Sequence, residues 1–129
     1  MTIARRPFLL FAAAMLAAGL AAAQPAERKQ REIDHLLDYV ARPDCQFYRN
    51  GSWYAGDAVR AHLREKADYL QKRGQLPDAD AFIQRAASES SVSGKPYQVR
   101  CAGMAPRPSG PWLTEELKRY RAGAPPKQP

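Results

Sequence analysis

The sequence predicts an α+β fold in which a small antiparallel sheet packs against about four helices. Three observations lead to this prediction. Asn50-Gly51 lies between two alternating, aromatic-rich arms, which is the strongest short signal of a two-residue hairpin turn. The chain contains two cysteines, Cys45 at the start of the hairpin and Cys101 at the end of a later strand-like run. Helical periodicity fills the segments between and around them. The predicted sheet is the hairpin 45–54 plus a strand over 96–101.

The first 23 residues predict a cleaved signal peptide. Arg5 and Arg6 form a basic start, residues 7–20 are mostly apolar, and three alanines precede a mature start at Gln24. This run is short for a membrane span, and no later stretch reaches the necessary length of about 20 residues. We therefore expect a periplasmic or secreted protein without a membrane span in its mature chain. The arginine pair also resembles a twin-arginine export signal, which is the less favoured route.

Cleavage would leave 106 residues, enough for one domain over residues 24–122, followed by a disordered tail over 123–129. The formal charge falls from +7 to +5 when the two arginines of the leader are removed. Basic residues are interleaved with acids and form no Lys/Arg run, and an exported location also argues against a nucleic-acid partner.

The first predicted helix covers residues 27–41 and ends before Pro43, because a residue before proline avoids helical geometry. Ile33, Leu36 and Val40 belong to its apolar stripe. His35 falls on the opposite side, which predicts a solvated side chain rather than a ligand. With His62 on a different helix, the two histidines of the chain give no basis for a metal site, and we expect none.

Alternation along the hairpin arms assigns the side chains to the two faces of the sheet. A disulfide between the cysteines requires both to share a face, which becomes the core side: Cys45, Phe47, Tyr54, Tyr97, Val99 and Cys101. The opposite face carries Tyr48, Trp53 and Arg100, which could stack on a glycan ring or contact a protein. The alternative is that the first or last helix covers this face, with Trp112 packed on it.

A disulfide is the expected state of two cysteines in an oxidising compartment. It would close a loop spanning 56 positions, and constraining the unfolded chain in this way contributes about 4 kcal/mol. The spacing is not that of a redox Cys-x-x-Cys motif, and two thiols alone make a poor metal site.

A second helix is predicted over residues 56–73, with Val59, Leu63 and Leu70 on one apolar arc. Lys66 lies in the middle of that arc. Its ammonium must either bend out to water or hydrogen-bond a partner, such as a carbonyl of the following serine-rich loop or the Glu89 carboxylate. We favour the paired arrangement.

The third helix begins after Asp78, a natural N-cap. It leads into a serine loop, a name kept here for residues 88–95, with candidate site residues Ser90, Ser91, Ser93, Gly94 and Lys95. This loop could cradle an anion, or its hydroxyls could instead satisfy free carbonyls at the end of the helix, which we favour. A nucleotide P-loop is excluded because Glu89 and Pro96 stand at two of its required positions.

Three prolines between residues 106 and 111 predict irregular structure after Cys101. Ser109 or Gly110 should cap a last helix over residues 112–121, with Leu113, Leu117 and Tyr120 facing inward.

The order of these segments resembles the YfeK-like family of small exported bacterial proteins. The resemblance rests on Phe47-x-Arg49-Asn50-Gly51, His62-Leu63-x-x-Lys66, the run from Phe82 to Tyr97, and the Trp112-Leu113 helix. It covers nearly the whole mature chain and implies an exported protein with one domain. The family is a domain of unknown function, so the resemblance implies no reaction, cofactor or ligand.

The function that we expect is a non-catalytic binding or interaction module of the bacterial envelope, with an envelope protein or a glycan as its partner. One alternative is an inhibitor of an envelope hydrolase, because Ser93-Gly94-Lys95-Pro96-Tyr97 resembles the Ser-Gly-x-x-Tyr motif of periplasmic lysozyme inhibitors. Another is a small hydrolase that uses the serine loop with His62 and Lys66, although the chain has none of the usual hydrolase motifs.

Overall fold

The computed structural model describes residues 2–4 and 9–123, with side chains for 2–4 and 24–123. Helices pack on a four-stranded antiparallel sheet with strand order β2-β1-β3-β4, so the predicted α+β class is confirmed. The elements are α1 (Leu9–Val40), β1 (Cys45–Arg49), β2 (Ser52–Ala55), α2 (Gly56–Lys72), α3 (Ala79–Phe82) with a π-helical turn (Ile83–Ala87), β3 (Gln98–Cys101), β4 (Arg107–Pro108) and α4 (Ser109–Arg121). Over the part of the chain so described, no helix is both long and apolar enough to cross a membrane.

The hairpin forms in the predicted register, with Tyr48 opposite Trp53 and Phe47 opposite Tyr54. Both turn residues adopt positive φ, 47° at Asn50 and 95° at Gly51, as a two-residue turn between twisted strands requires. The later strand pairs with β1 so that the two cysteines lie directly opposite each other. They form the predicted disulfide between Cys45 and Cys101.

The hydrophobic core lies between one face of the sheet and the helices. Leu36, Leu37 and Val40 of α1 are fully buried, as are Phe82 and Val99. The other buried apolar side chains of the cluster include Phe47, Leu63, Ala67, Tyr97, Trp112, Leu113 and Leu117. Burial of such side chains is the main source of stability in a domain of this size.

Two segments contain more regular structure than predicted. The first helix begins at Leu9 rather than residue 27, so the predicted cleavage position lies within α1; alanine and leucine are strong helix formers, which explains the continuity. The proline-rich segment is also not wholly irregular, because Arg107 and Pro108 pair with β3 as a short edge strand. Proline is tolerated at such an edge, where no partner needs its missing N–H.

The last helix begins at Ser109, and Pro108 stands at the N-cap position without a side-chain capping bond. The predicted cap by Ser109 or Gly110 is therefore wrong. The Ser109 hydroxyl instead donates a hydrogen bond of 2.6 Å to the Ala87 carbonyl, which ties α4 to the π-helical turn. The predicted cap of the third helix is correct, since the Asp78 carboxylate accepts from the Ala81 amide.

Three side chains occupy environments other than those predicted. His35 is not solvated: its Nε2 lies 2.6 Å from Glu116 Oε2, and its ring stacks on Tyr120 at 4.1 Å. Tyr120 is consequently 37% exposed rather than inward. Tyr54 lies on the core side of the sheet but is also 37% exposed, because β2 is an edge strand. Beyond Gly123, the predicted tail lies outside the described residues.

Candidate functional site

The outer sheet face, formed by Gln46, Tyr48, Trp53 and Arg100, carries a fixed group of aromatic and cationic side chains. The Tyr48 and Trp53 rings lie 5.4 Å apart at 60°. The Arg100 guanidinium lies 3.9 Å from the centre of the Trp53 ring, and its Nε and Nη2 both donate to Gln46 Oε1, at 3.0 and 2.7 Å. These contacts fix the orientation of the arginine, so little side-chain entropy is left to lose on binding.

The alternative in which Trp112 packs on this face is wrong. Its ring packs 4.4 Å from Tyr39 and 5.7 Å from Phe47, on the core side of the sheet. Tyr48, Trp53 and Arg100 all remain partly exposed. The structure thus brings the three predicted surface residues together on one accessible face, because they alternate with the buried Phe47 and Val99 along the paired strands.

The serine loop uses most of its polar groups within the protein. The buried Ser90 hydroxyl accepts bonds from the Val92 and Ser93 amides, each at 3.2 Å. The Ser90 carbonyl accepts from the Gly94 amide, where the chain takes a φ of +70°. The amides that an anion cradle would need are therefore already bonded, which agrees with the structural interpretation of this loop.

The same loop is joined to the hairpin turn. The Ser93 hydroxyl donates to Asn50 Oδ1 at 2.9 Å and accepts from the Lys95 amide at 3.3 Å. Ser91 and Lys95 are exposed, and Val92 is 93% exposed. The loop is therefore a projecting segment held at its base by defined hydrogen bonds.

Lys66 is paired, as the sequence analysis favours. Its Nζ donates to the Tyr97 hydroxyl at 3.2 Å and to the Glu89 carbonyl at 3.3 Å. Burial, with a contribution from the nearby Arg49 charge, lowers the pKa of Lys66. Of the two acceptors predicted from the sequence, the serine-loop carbonyl is therefore the one that is bonded. The Glu89 carboxylate contributes only a favourable charge.

His62 lies one helical turn before Lys66 on α2. Burial, followed by the charges of Arg49 and Lys66, lowers the pKa of His62. Among the described residues, neither side chain hydrogen-bonds a serine hydroxyl. The arrangement therefore lacks the nucleophile-to-base contact that an activated serine requires.

Arg49 also lies at this place, which its sequence pattern alone does not indicate. Arg49 is the last residue of β1 and lies on the same, core side of the sheet as Phe47, and its side chain lines the same cavity as His62 of α2. Its guanidinium lies 5.0 Å from the Tyr54 ring centre. Counting two residues along the strand from Phe47 is the signal that would have assigned it to this side.

Asp44, Cys45 and Cys101 place possible metal-binding atoms within 4.8 Å of one another. Both sulfur atoms are shared in the disulfide, whereas cysteine binds a metal as the free thiolate. This group therefore cannot act as a metal centre while the bridge is intact.

The fold and these surfaces define a small disulfide-bridged α+β protein whose helices cover one face of the sheet and leave an aromatic–arginine group on the other. The chain belongs to DUF5329, a family of unknown function, whose model matches residues 27–121. The uncharacterized protein YfeK of Salmonella typhimurium is 34% identical over 70 residues, which is 54% of this chain and 57% of that relative. The match thus spans little more than half of the relative's length. No solved structure matches the chain.

Proposed function

We propose that this protein is a non-catalytic binding module of the bacterial envelope, exported by the signal peptide predicted over residues 1–23, and that its outer sheet face contacts a protein partner. The observation that carries the proposal is the Arg100 guanidinium stacked on Trp53 and held by Gln46. Trp, Tyr and Arg are the residues that dominate binding energy at protein interfaces. The intact disulfide supports an oxidising compartment.

A protein partner is favoured over a glycan by the position of the guanidinium. A sugar ring that stacks on tryptophan needs an open indole face, and Arg100 covers one face of Trp53 at 3.9 Å. A protein can instead use the exposed edges of this group and offer an acceptor to the cation. The net positive charge of the chain favours an acidic partner.

The test compares capture from envelope extract by the wild-type protein and the Trp53→Ala and Arg100→Gln variants. Tyr69→Ala is the matched control. Tyr69 also stacks with an arginine, Arg73, but it lies on α2, away from the outer face, and is 55% exposed. The proposal is supported if one protein is retained by the wild type and the control but not by either outer-face variant. That protein should also bind the wild type after it has been purified. Retention of peptidoglycan instead would assign the face to a glycan. Capture that both outer-face variants leave unchanged contradicts a role for this face.

A second candidate, inhibition of an envelope hydrolase, is favoured by the projecting serine loop. Its tip residue Val92 is 93% exposed, while hydrogen bonds accepted by the Ser90 hydroxyl and donated by the Ser93 hydroxyl hold its base. A preformed exposed loop suits insertion into an enzyme cleft because little ordering is needed on binding. Tyr97 of the motif is buried, however, so the resemblance to lysozyme inhibitors extends only to Ser93 and Gly94. This candidate would be supported if the protein inhibits lysozyme, if Val92→Asp abolishes the inhibition, and if the Trp53→Ala variant still inhibits.

A further inference from the structure

Three basic side chains, Arg49, His62 and Lys66, lie near enough to influence one another's charge where the end of β1 approaches α2. Arg49, His62 and Tyr97 line the same narrow cavity, about 10 Å³ in volume, and Lys66 donates to the Tyr97 hydroxyl. The wall of this cavity is apolar and its volume is at the lower limit for one water molecule, so an anion would reach the basic groups only from the rim. All three basic residues are partly buried.

This cationic cluster, Arg49, His62 and Lys66, lacks a carboxylate partner among the described residues. Six arginines elsewhere form ion pairs with acids: Arg42, Arg60, Arg64, Arg107, Arg119 and Arg121. None of the three clustered side chains does. Two acidic residues act electrostatically on the cluster, Glu89 on Lys66 and Glu65 on His62. Both are exposed. Partly buried like charges without a counterion oppose folding, so the cluster is a place where an anion would stabilise the protein.

The cluster also has hydrogen-bond donors to spare. The ammonium of Lys66 has three N–H groups and uses two of them. Arg49 makes its contact through the ring of Tyr54, which leaves its planar set of N–H donors available. The Tyr97 hydroxyl accepts from Lys66, so its own proton can be donated. Guanidinium groups bind carboxylates and phosphates through two parallel hydrogen bonds.

We propose that Arg49, Lys66 and the Tyr97 hydroxyl, together with protonated His62, form a binding site for an oxyanion, either a carboxylate or a phosphate group of a ligand. The site lies on the helix-covered side of the sheet and is separate from the outer face. Arg49 supplies the paired donors, and Lys66 and Tyr97 add one each. His62 makes binding stronger in mild acid, because its imidazolium adds a positive charge that the nearby Glu65 carboxylate only partly balances, whereas the Arg49 charge does not change.

The test uses the full chain and follows binding of sulfate and of acetate by NMR of the histidine rings. Sulfate represents a phosphate group without titrating above pH 3, and acetate represents a carboxylate. Chloride at the same ionic strength measures screening alone. The chain contains only two histidines, and His35, paired with Glu116, serves as the internal reference. We expect saturable shifts at His62, and sulfate affinity on the order of fivefold tighter at pH 5.5 than at pH 8.

Arg49→Gln should weaken binding on the order of tenfold, since hydrogen bonds to a charged group are lost. Arg60→Gln, which removes an exposed arginine from α2, is the matched control and should bind like wild type. His62→Gln removes the reporting ring, so its binding is followed by the backbone amide resonances of Arg49 and Lys66; it should bind at pH 8 but lose the gain in sulfate affinity at pH 5.5. A response to sulfate alone or to acetate alone supports the site and identifies the group. Equal responses to chloride, equal shifts at His35, or unchanged binding in both Arg49→Gln and His62→Gln overturn it.

Discussion

Lys66 shows how a single cation is accommodated on an apolar helix face. Its neighbours Leu63 and Ala67 are buried in the core, while its ammonium reaches the Tyr97 hydroxyl and the Glu89 carbonyl. The side chain thereby joins α2 to the serine loop and to the residue before β3. We conclude that its structural role is independent of any ligand.

Replacing Lys66 by methionine should destabilise the protein by about 1–3 kcal/mol, because the volume is kept but the buried Tyr97 hydroxyl loses its partner. Denaturant unfolding with the disulfide intact measures the change. Lys72→Met, at the exposed end of the same helix, is the control and should be close to neutral. An unfolding midpoint for Lys66→Met equal to that of wild type would show that the two hydrogen bonds contribute nothing net.

His62 should make stability depend on pH in the mildly acidic range. Burial, Arg49 and Lys66 lower the pKa of His62 in the folded protein below the usual 6.5. Between the folded-state pKa and 6.5, the unfolded state therefore binds the proton more tightly than the folded state does. Stability is therefore full above pH 6.5 and falls as the pH drops towards the folded-state pKa. The pKa of Glu32 is also lowered, through hydrogen bonds from Arg121, but that contribution is lost at pH values below 4.5.

Urea unfolding of wild type and His62→Gln at pH 7.5 and pH 5.5 in chloride buffer tests this expectation. The variant should lose less stability on acidification, and the difference between the two proteins should be constant from pH 7.5 to 8.5. Parallel losses in both proteins would place the titration at another group.

At the scale of the elements, the hairpin turn is the feature that the sequence predicts best. Only a few residue types accept positive φ at two successive positions, so Asn50-Gly51 leaves little choice of structure or register. The edge β4 could not be predicted in the same way. Its pairing depends on β3 being present beside it, and Pro108 has a local preference against strands.

Gly51→Val should destabilise the protein by about 1–3 kcal/mol, since a β-branched residue at a φ of 95° is strained. No atom lies near enough to hinder the added Cβ itself, so the loss is conformational rather than a clash. Ser52→Val, the next residue along and already extended, controls for the added apolar surface and should change stability little. Equal midpoints for the two variants would contradict the strain argument.

The cationic cluster also could not be predicted from the sequence pattern. Periodicity places His62 and Lys66 on the buried side of α2, but the proximity of Arg49 depends on how the hairpin packs across that helix. His35 was misjudged for the same reason, because its partner Glu116 lies 81 positions away. Local patterns assign a face to a residue, and only tertiary packing decides what it contacts.

At the scale of the whole molecule, the disulfide joins the hairpin to the strand that follows the helical segment. Closing this loop of 56 positions should contribute about 4 kcal/mol to the free energy of unfolding. Thiol titration of the unfolded, unreduced protein should find no free thiol. Unfolding after reduction should occur at a lower denaturant concentration, and Cys45→Ala/Cys101→Ala should reproduce that loss. Two reactive thiols in protein isolated without reductant would contradict the bridge.

The two edges of the sheet differ in whether they can pair with a strand of another molecule. In the described part of the chain, β4 ends one edge with only two residues, one of them Pro108, which has no N–H to donate. Among the residues that the structure describes, the other edge strand, β2, pairs with β1 alone and leaves its outer backbone groups without a strand partner. A filament built by strand pairing needs two open edges on every copy, and the described residues offer one. If two copies join through β2, the assembly is complete at a dimer and cannot continue into a fibre.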